Sequence, residues 1–439
     1  MPFDLSAERV LPLLEARGGE LASDAQTAWD SLTASGDVSV VSLHSLEYFL
    51  WYTLPAKFLT SPEDHRAIAL ALGTLLSELG YEGAAALCRS PVTMRVIAAW
   101  DHGPSRGHQA LSKALDDSGV EPLDTEALEW GGMMGMTESS VYELAAGALE
   151  EALLRGEVIP GKRRWKQAQA EVLRQFLTAP ADSLDQRTPQ AAVWQERQDF
   201  WVEPPARPLR QAFIRPIREE IRRRPAARPE AMGEGIRPLL RLLELCTTGL
   251  PLTSAGYMPP GTVRELVGEL GWWDWDKPPR SETDVPQLIA LRDFAHKAGL
   301  VRRAHDRLHL TVSGRRALVE PDRLWTGVVR ALSDGTHFAA ALRELLLVRM
   351  LQGDVDRKEV VDEVLPVLVE AGWRPSDGRG LSGDVVSSML WDAIRPMELL
   401  GMILAGKWPD RTLRLIGLGN VTARAVLWRR STAPRHDLR

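Results

Sequence analysis

The sequence predicts a mainly α-helical protein, in which a helical amino-terminal domain precedes tandem units of three helices and a β-hairpin. Three observations lead to this prediction. Apolar residues recur at intervals of three and four in many segments, and runs with the alternation of a strand are scarce. Two parts of the carboxy-terminal half also match each other at an offset of roughly 100 residues. We expect an all-helical domain at 1–200, a linker at 201–235, repeated units at 236–332 and 333–430, and a tail at 431–439.

Helix boundaries in the amino-terminal domain follow from capping residues. The stretch "SPEDHRAIALALGTLLSELG" begins with Ser61, has Asp64 three residues later and stops at Gly80. In "TESSVYELAAGALEEALLRG" we expect Thr137 to be the N-cap and Gly156 to end the helix, since threonine favours the first position and glycine the last. These residues predict two amphipathic helices.

Residues 201–235 differ in composition from the domain before them. Prolines recur there, and arginines are frequent. Proline ends or kinks a helix because it lacks the amide donor and clashes with the preceding turn. We therefore expect a basic, proline-rich linker that contains one short helix at about 210–224.

The carboxy-terminal half contains a diverged internal repeat. "ELVGELGW" (265–272) aligns with "LPVLVEAGW" (365–373), "KAGLV" (297–301) with "LLGMI" (399–403), and "LHLTVSGRRAL" with "LRLIGLGNVTARAVL". The slowly growing offset is what insertions in surface loops produce in a duplicated domain. Each copy has a helical pair, a polar connection, a third helix, a glycine and a β-hairpin, an order that is typical of a winged helix-turn-helix.

The elements of the first copy can be placed individually. We expect helices at 236–247, in "PPGTVRELVGELG" and at about 286–298, where leucines and alanines form one apolar stripe that ends at Gly299. "LVRR" and "RLHLTV" are then two strands joined by the short loop "AHD".

At these residues the sequence resembles a known module. "LPLTSAGYMPPGTVRELVGELG", "RSETDVP", "LRDFAHKAGLVRR" and "RLHLTVSGRRAL" are similar to a carboxy-terminal module of uncharacterised bacterial proteins labelled plasmid pRiA4b ORF-3-like. The resemblance covers about residues 250–320, and the hairpin alone is similar to the wings of MarR and PadR regulators. It implies a winged-helix fold and no reaction. The amino-terminal domain that accompanies the plasmid label has no counterpart here.

Arginines cluster on and after the predicted hairpin. Wing arginines can contact phosphates or enter the minor groove, and a third helix can enter the major groove. By helical phase, the outward residues of the third helix include Ile289 and Asp293, which suit a base-reading surface poorly. The candidate nucleic-acid-binding residues are Arg292, Lys297, Arg302, Arg303, Arg307, Arg315 and Arg316.

The second copy offers a weaker surface for DNA. Its corresponding outward positions include Trp391 and Leu399, and Pro396 is expected to interrupt the helix. Exposed Trp and Leu side chains would favour packing against another domain or subunit. We therefore interpret the second copy as structural.

Other chemistries receive little support from the sequence. Cys88 and Cys246 have apolar neighbours, so buried reduced thiols are expected. "DHGPSRGH" brings Asp101, His102 and His108 together without a further ligand motif, and a polar loop explains it better than a metal or catalytic site. The tryptophans of "GWWDWD" fit a core or interface better than stacking on bases, given the acidic setting. We expect no catalytic residue, metal or cofactor.

Charge is distributed unevenly between the two halves. The net charge of −6 combines −13 over residues 1–200 with +7 over residues 201–439, so the second half is the better site for a polyanion. The beginning of the chain lacks a secretory pattern, and no apolar run reaches the roughly 20 residues that span a bilayer. We expect a cytoplasmic, non-enzymatic protein, a regulator or complex component, that contacts duplex DNA through the first winged-helix unit. The alternative is a scaffold whose winged helices bind a protein partner or another copy of the chain.

Overall fold

The computed structural model describes residues 10–33, 42–181, 186–225, 236–273, 276–335, 337–376, 378–406 and 410–435. These residues are mainly α-helical, as predicted, and include two small antiparallel sheets. They fall into two compact units that divide between residues 193 and 194, and Pro434 and Arg435 belong to the amino-terminal unit. Among the described residues, no helix is both long and apolar enough to cross a bilayer.

The amino-terminal unit is built from helices, as the sequence predicts. The helices are α1 (Leu11–Glu15), α2 (Gly19–Leu32), α3 (Leu43–Tyr48), α4 (Leu54–Lys57), α5 (Pro62–Glu78), α6 (Glu82–Cys88), α7 (Pro91–Asp101), α8 (Pro104–Ser118), α9 (Met136–Leu154) and α10 (Trp165–Thr178). A π-helical turn, Phe49–Thr53, joins α3 to α4. Helices α2 and α5, α5 and α6, and α7 and α8 pack against one another around a core that includes Trp51, Leu72 and Leu75.

The predicted helix boundaries in this unit are confirmed in part. Ser61 caps α5 in a reciprocal capping box with Asp64, as the spacing predicts. The N-cap predicted at Thr137 is wrong, because α9 already begins at Met136 after an extended Gly135. Gly156 follows the end of α9 with φ +72°, the left-handed conformation that glycine adopts at helix ends.

The segment expected to be a linker with one short helix at about 210–224 is helical over much of its length. It contains the end of α11 (Pro189–Val202), then α12 (Pro208–Ile214), a 3₁₀ turn (Arg215–Ile217) and α13 (Arg218–Arg222). Ile214, Ile217 and Ile221 are buried in the core of the carboxy-terminal unit. Their spacing of three and four residues places them on one helical face, which outweighs the local effect of the prolines. Residues 226–235 of the expected linker lie outside the described residues.

The carboxy-terminal unit contains two segments with the same order of elements. The first segment comprises α14 (Arg237–Leu245), β1 (Leu250–Pro251), α15 (Pro260–Leu270), α16 (Pro286–Lys297), β2 (Val301–Ala304), β3 (Arg307–Leu310) and α17 (Val312–Val319). Helix α18 (Pro321–Ser333) follows. The second segment comprises α19 (Phe338–Met350), β4 (Val355–Asp356), α20 (Arg357–Glu370), α21 (Gly383–Leu399), β5 (Ile403–Ala405), β6 (Thr412–Leu415) and α22 (Gly419–Thr432). Their antiparallel sheets have the orders β1-β3-β2 and β4-β6-β5.

The two segments also share hydrogen bonds at the entrance to the hairpin. Leu300 and Met402 each donate a backbone hydrogen bond to the carbonyl five residues earlier, at 3.0 and 2.8 Å. Helices α17 and α22 then pack directly on the carbonyl oxygens of these two residues. A Cβ atom on Gly314 or Gly419 would lie 2.0 Å from that oxygen, so both helices need glycine at the contact.

Several details of these segments differ from the prediction. Strands β1 and β4 were not expected, because two residues are too few to show an alternation. The expected break at Pro396 is wrong, since α21 continues through it. The buried side chains of Ile394 and Met397 hold this turn in the core, which offsets the lost hydrogen bond. Leu399, expected to be exposed, is also buried.

The cysteine prediction is confirmed. Cys88 and Cys246 are free thiols, and both are buried. Burial raises the pKa of each thiol to about 12. Trp272 and Trp373, aligned in the repeat, are half-buried and pack against the core of the carboxy-terminal unit.

Candidate nucleic-acid interface

Helix α16 is anchored by the apolar stripe that the sequence predicts. Pro286 occupies its first turn, where the missing amide donor costs nothing, and Leu288, Leu291 and Ala295 are fully buried. Gly299 follows its end with φ +68° and turns the chain into β2. The helix and the hairpin therefore form one connected piece of structure.

The hairpin exposes one face of its sheet to solvent. Val301 pairs with Leu310, and both are buried, whereas Arg302 pairs with His309 on the opposite face. Ala304 and Arg307 form the last pair on that outer face, at the tip of the hairpin. His305, in the tip, has φ +56°, as a two-residue hairpin turn requires.

The hairpin surface, as we name it, consists of five exposed arginines. Three of them donate hydrogen bonds to neutral carbonyl oxygens only: Arg303 Nε to His305 at 3.2 Å, Arg307 Nη1 to Gly249 at 2.9 Å and Arg315 Nη1 to Leu310 at 3.3 Å. The side chains of the other two have neither a hydrogen bond nor an ion pair within the described parts of the chain. The set is Arg302, Arg303, Arg307, Arg315 and Arg316.

No carboxylate in the described part of the chain forms an ion pair with these five arginines. Their positive charges are therefore not neutralised locally. Carbonyl acceptors fix the direction of three side chains and leave their charge intact. Such a surface can attract a polyanion at modest cost in desolvation.

The remaining two predicted site residues have different surroundings. Arg292 Nη1 lies 2.9 Å from Glu282, whose carboxylate is fully buried, and also donates to the Gly256 carbonyl at 3.0 Å. This guanidinium is occupied in holding the loop before α16. Burial raises the pKa of Glu282, while the Met258 amide and Arg292 oppose that rise. Arg292 therefore lies apart from the hairpin surface.

Lys297 lies at the end of α16, close to the second segment. Although its side chain is exposed, burial and the nearby Arg343 guanidinium lower its pKa, and Asp334 opposes them. Helix α16 itself packs against α21. Ile289, expected to point to solvent, and its neighbour Ala290 are half-buried. The apolar residue at an outward position was the sign in the sequence that this side of α16 is partly covered.

In the second segment, basic side chains near the hairpin have local partners. Arg414 lies 3.2 Å from Asp354, and Arg357 donates to the carbonyl oxygens of Gly406 and Asp410. The Arg357 guanidinium also stacks 5.3 Å above the ring of Trp391, so this tryptophan is covered in part. Lys407, which the sequence places on the same hairpin, lies outside the described residues. The second hairpin thus offers less uncompensated charge than the first.

Asp101 and His108 of "DHGPSRGH" have separate local partners. Asp101 pairs with Arg66 at 3.0 Å, and the ring of His108 packs edge-on against Trp100 with centroids 4.8 Å apart. His102 is exposed at the end of α7. Across the ranges that the structure covers, no three His, Cys, Asp or Glu side chains are grouped so that they could bind a metal ion.

Comparison with known proteins adds no neighbour to this picture. No protein-family model, no curated protein and no solved structure matches the chain. The resemblance of residues 250–320 to the plasmid proteins stays a prediction from the sequence.

Proposed function

We propose that this chain is a non-enzymatic DNA-associated protein that contacts duplex DNA through the hairpin surface. The observation that carries the proposal is the set of five exposed arginines on β2, β3 and α17 that have no carboxylate partner in the described structure. Duplex DNA presents a dense row of phosphate charges, and each neutralised phosphate releases counterions. Uncompensated arginines gain the most from that exchange.

The order of elements supports a winged-helix assignment for both segments. Each has helix, strand, two helices and a hairpin, with the hairpin's second strand in the centre of a three-stranded sheet. The hydrogen bonds at Leu300 and Met402 and the close contacts of Gly314 and Gly419 recur at corresponding positions. We infer that the segments are diverged copies of one unit. The first copy contacts DNA with its wing, and the second is structural.

Two double variants test the proposal, and each removes two positive charges from one of the two copies. Arg302→Gln with Arg316→Gln alters two side chains that form no hydrogen bond or ion pair in the described structure, so the fold should be retained. Arg411→Gln with Arg414→Gln on the second hairpin removes the same number of charges and is the control, although Arg414, unlike Arg302 and Arg316, has a carboxylate partner in Asp354. Fluorescence anisotropy with a labelled duplex of mixed sequence at 100 mM salt measures the affinity.

We expect the first double variant to bind at least about 10-fold more weakly, because two phosphate contacts are lost. The control should change affinity by less than about two-fold, and circular dichroism melts should show that both variants are folded. Equal weakening by the two variants would assign the effect to overall charge. Failure of the unaltered protein to bind duplex DNA would reject the proposal.

A protein-interaction scaffold is the second candidate function, and one feature favours it. An open groove of about 410 Å³ lies between α12, α19 and α20, with Phe213, Pro216, Pro366 and Val367 in its lining. Leu209, at the same groove, is about half exposed (48%). If the groove binds a second copy, sedimentation velocity should show concentration-dependent association that Leu209→Glu abolishes. A monomer at every concentration would remove self-association from consideration.

A further inference from the structure

We propose that the first segment binds the backbone of duplex DNA irrespective of base sequence, because α16 is prevented from entering the major groove by its contact with α21. This inference rests on the proposed DNA contact and specifies its mode. In a winged helix that reads bases, the third helix must present its outward side chains to the groove. In this protein the outward face of α16 is partly buried by the rest of the carboxy-terminal unit.

The packing of α16 covers part of its outward side. Helices α16 and α21, the third helices of the two segments, are in contact. Ile289 and Ala290 lie outside the stripe of Leu288, Leu291 and Ala295, yet both are half-buried. We infer that α21 covers part of this side, so that inserting α16 into a groove about 12 Å wide would require the two helices to separate and would expose apolar surface.

The second line of evidence is the state of the polar side chains on α16. Arg292, the residue type best suited to reading guanine, is bound to the buried Glu282. Asp293 is exposed, and its negative charge would be repelled by the phosphates that flank the groove. Lys297, at the end of α16, lies near the Arg343 guanidinium and the Asp334 carboxylate. These environments leave α16 poorly equipped to read bases.

The hairpin surface, in contrast, suits contacts that carry no base information. Contacts from arginine to phosphate oxygens fix position and orientation without selecting a sequence. A wing that reaches the minor groove reads a degenerate pattern, which largely distinguishes A·T from G·C. Binding by Arg302, Arg307 and Arg316 should therefore depend on the number of phosphates and on the salt concentration.

The test compares binding across sequences in the full chain. Anisotropy titrations use four duplexes of equal length: two of unrelated mixed sequence, one composed of G·C pairs and one containing an A-tract. We expect dissociation constants that agree within about five-fold. Arg302→Gln with Arg316→Gln should weaken all four by the same factor, and Asp293→Asn should leave the ranking of the four unchanged.

The outcomes separate this inference from the proposed function. A spread larger than about five-fold among the duplexes, or a change in their ranking in Asp293→Asn, would show that bases are read and would overturn the inference while DNA binding stands. Absence of binding to every duplex would instead overturn the proposed function. Agreement among the four duplexes, with uniform weakening in the double variant, is the result that supports the inference.

Discussion

Removal of the Glu344 carboxylate should strongly destabilise the carboxy-terminal unit. This side chain is only 4% exposed, and it accepts from Arg210 Nη2 at 2.6 Å and from Arg430 Nε. Arg210 belongs to α12 and Arg430 to α22, so a single carboxylate on α19 connects three helices. Glu344→Gln keeps the shape of the side chain and leaves two largely buried guanidinium groups without their counterion.

The magnitude follows from the pKa of Glu344. Burial by itself would raise this pKa, but Arg430 and Arg210 outweigh burial and lower it from 4.5 to about 2. A shift of that size corresponds to about 3 kcal/mol at neutral pH. Breaking one partner of a buried pair typically costs about 3 to 5 kcal/mol, which agrees. Because the folded pKa is the lower one, the contribution is complete above about pH 4.5 and is lost as the pH falls toward 2.

Hydrogen exchange of peptides from α19 and α22 measures the effect within the full chain. At pH 7, Glu344→Gln should lower the free energy of opening of these helices by about 3 kcal/mol. Glu363→Gln is the control, since its exposed pair with Arg349, at 2.8 Å, should contribute less than about 1 kcal/mol. In thermal melts, the difference in melting temperature between the unaltered protein and Glu344→Gln should be smaller at pH 3 than at pH 7. Equal effects of the two substitutions at pH 7 would refute the reasoning.

Three further predictions concern buried groups. Burial raises the pKa of Glu47 to about 8, so the folded state retains a proton that the unfolded chain loses above about pH 4.5, and stability falls as the pH rises from 4.5 to 8. Glu47→Gln should therefore stabilise the amino-terminal unit by a few kcal/mol at pH 8 but hardly at pH 4. Hydrogen exchange measures the effect at pH 8, and thermal melts measure it at pH 4. Equal stabilisation at the two pH values would contradict this prediction. Gly314→Ala should lower the melting temperature by several degrees, because its Cβ would meet a backbone oxygen. Gly327→Ala is the control and should not lower it, since the nearest atom to its Cβ is 4.0 Å away. Equal melting temperatures for the two variants would count against the close contact at Gly314. Cys88 and Cys246 should react with a thiol reagent only after unfolding, and rapid modification of the native protein would show that one of them is accessible.

Local patterns were sufficient to predict the elements of the candidate interface. The apolar stripe of α16 and the glycine after it correctly predicted the helix. The hairpin expected in "LVRR" and "RLHLTV" is present, but β3 ends at Leu310 and Val312 already belongs to α17. The strand pairing places Arg302 and Arg307 on the outer face. These features depend on residues that are near one another in the chain, so periodicity reveals them.

Contacts between distant residues could not be read from the sequence. The ion pair of Arg292 and Glu282 joins helix α16 to the 3₁₀ turn before it. Nothing in the spacing of the two residues shows that Glu282 is buried. The contact between α16 and α21 joins residues about 100 positions apart. Ile289 at an outward position was a local sign that this side of α16 is partly covered, but a single exposed isoleucine is common on protein surfaces.

The segment from 208 to 222 illustrates a competition between two local signals. Its prolines favour a linker, whereas Ile214, Ile217 and Ile221 have the spacing of a buried helical face. In the structure the apolar spacing prevails, and Pro216 is accommodated in the 3₁₀ turn between two short helices. The short helix expected at about 210–224 is therefore present as two helices with a 3₁₀ turn between them, and its packing into the core was not predicted.

The central claim, that the arginines of the first hairpin neutralise DNA phosphates, is tested most directly by the salt dependence of binding. The slope of log K against log salt concentration should be shallower by about 2 in Arg302→Gln with Arg316→Gln than in the unaltered protein, since each lost phosphate contact removes about 0.9. Identical slopes for the two proteins would contradict the claim, because they would mean that these guanidinium groups displace no counterions from the duplex.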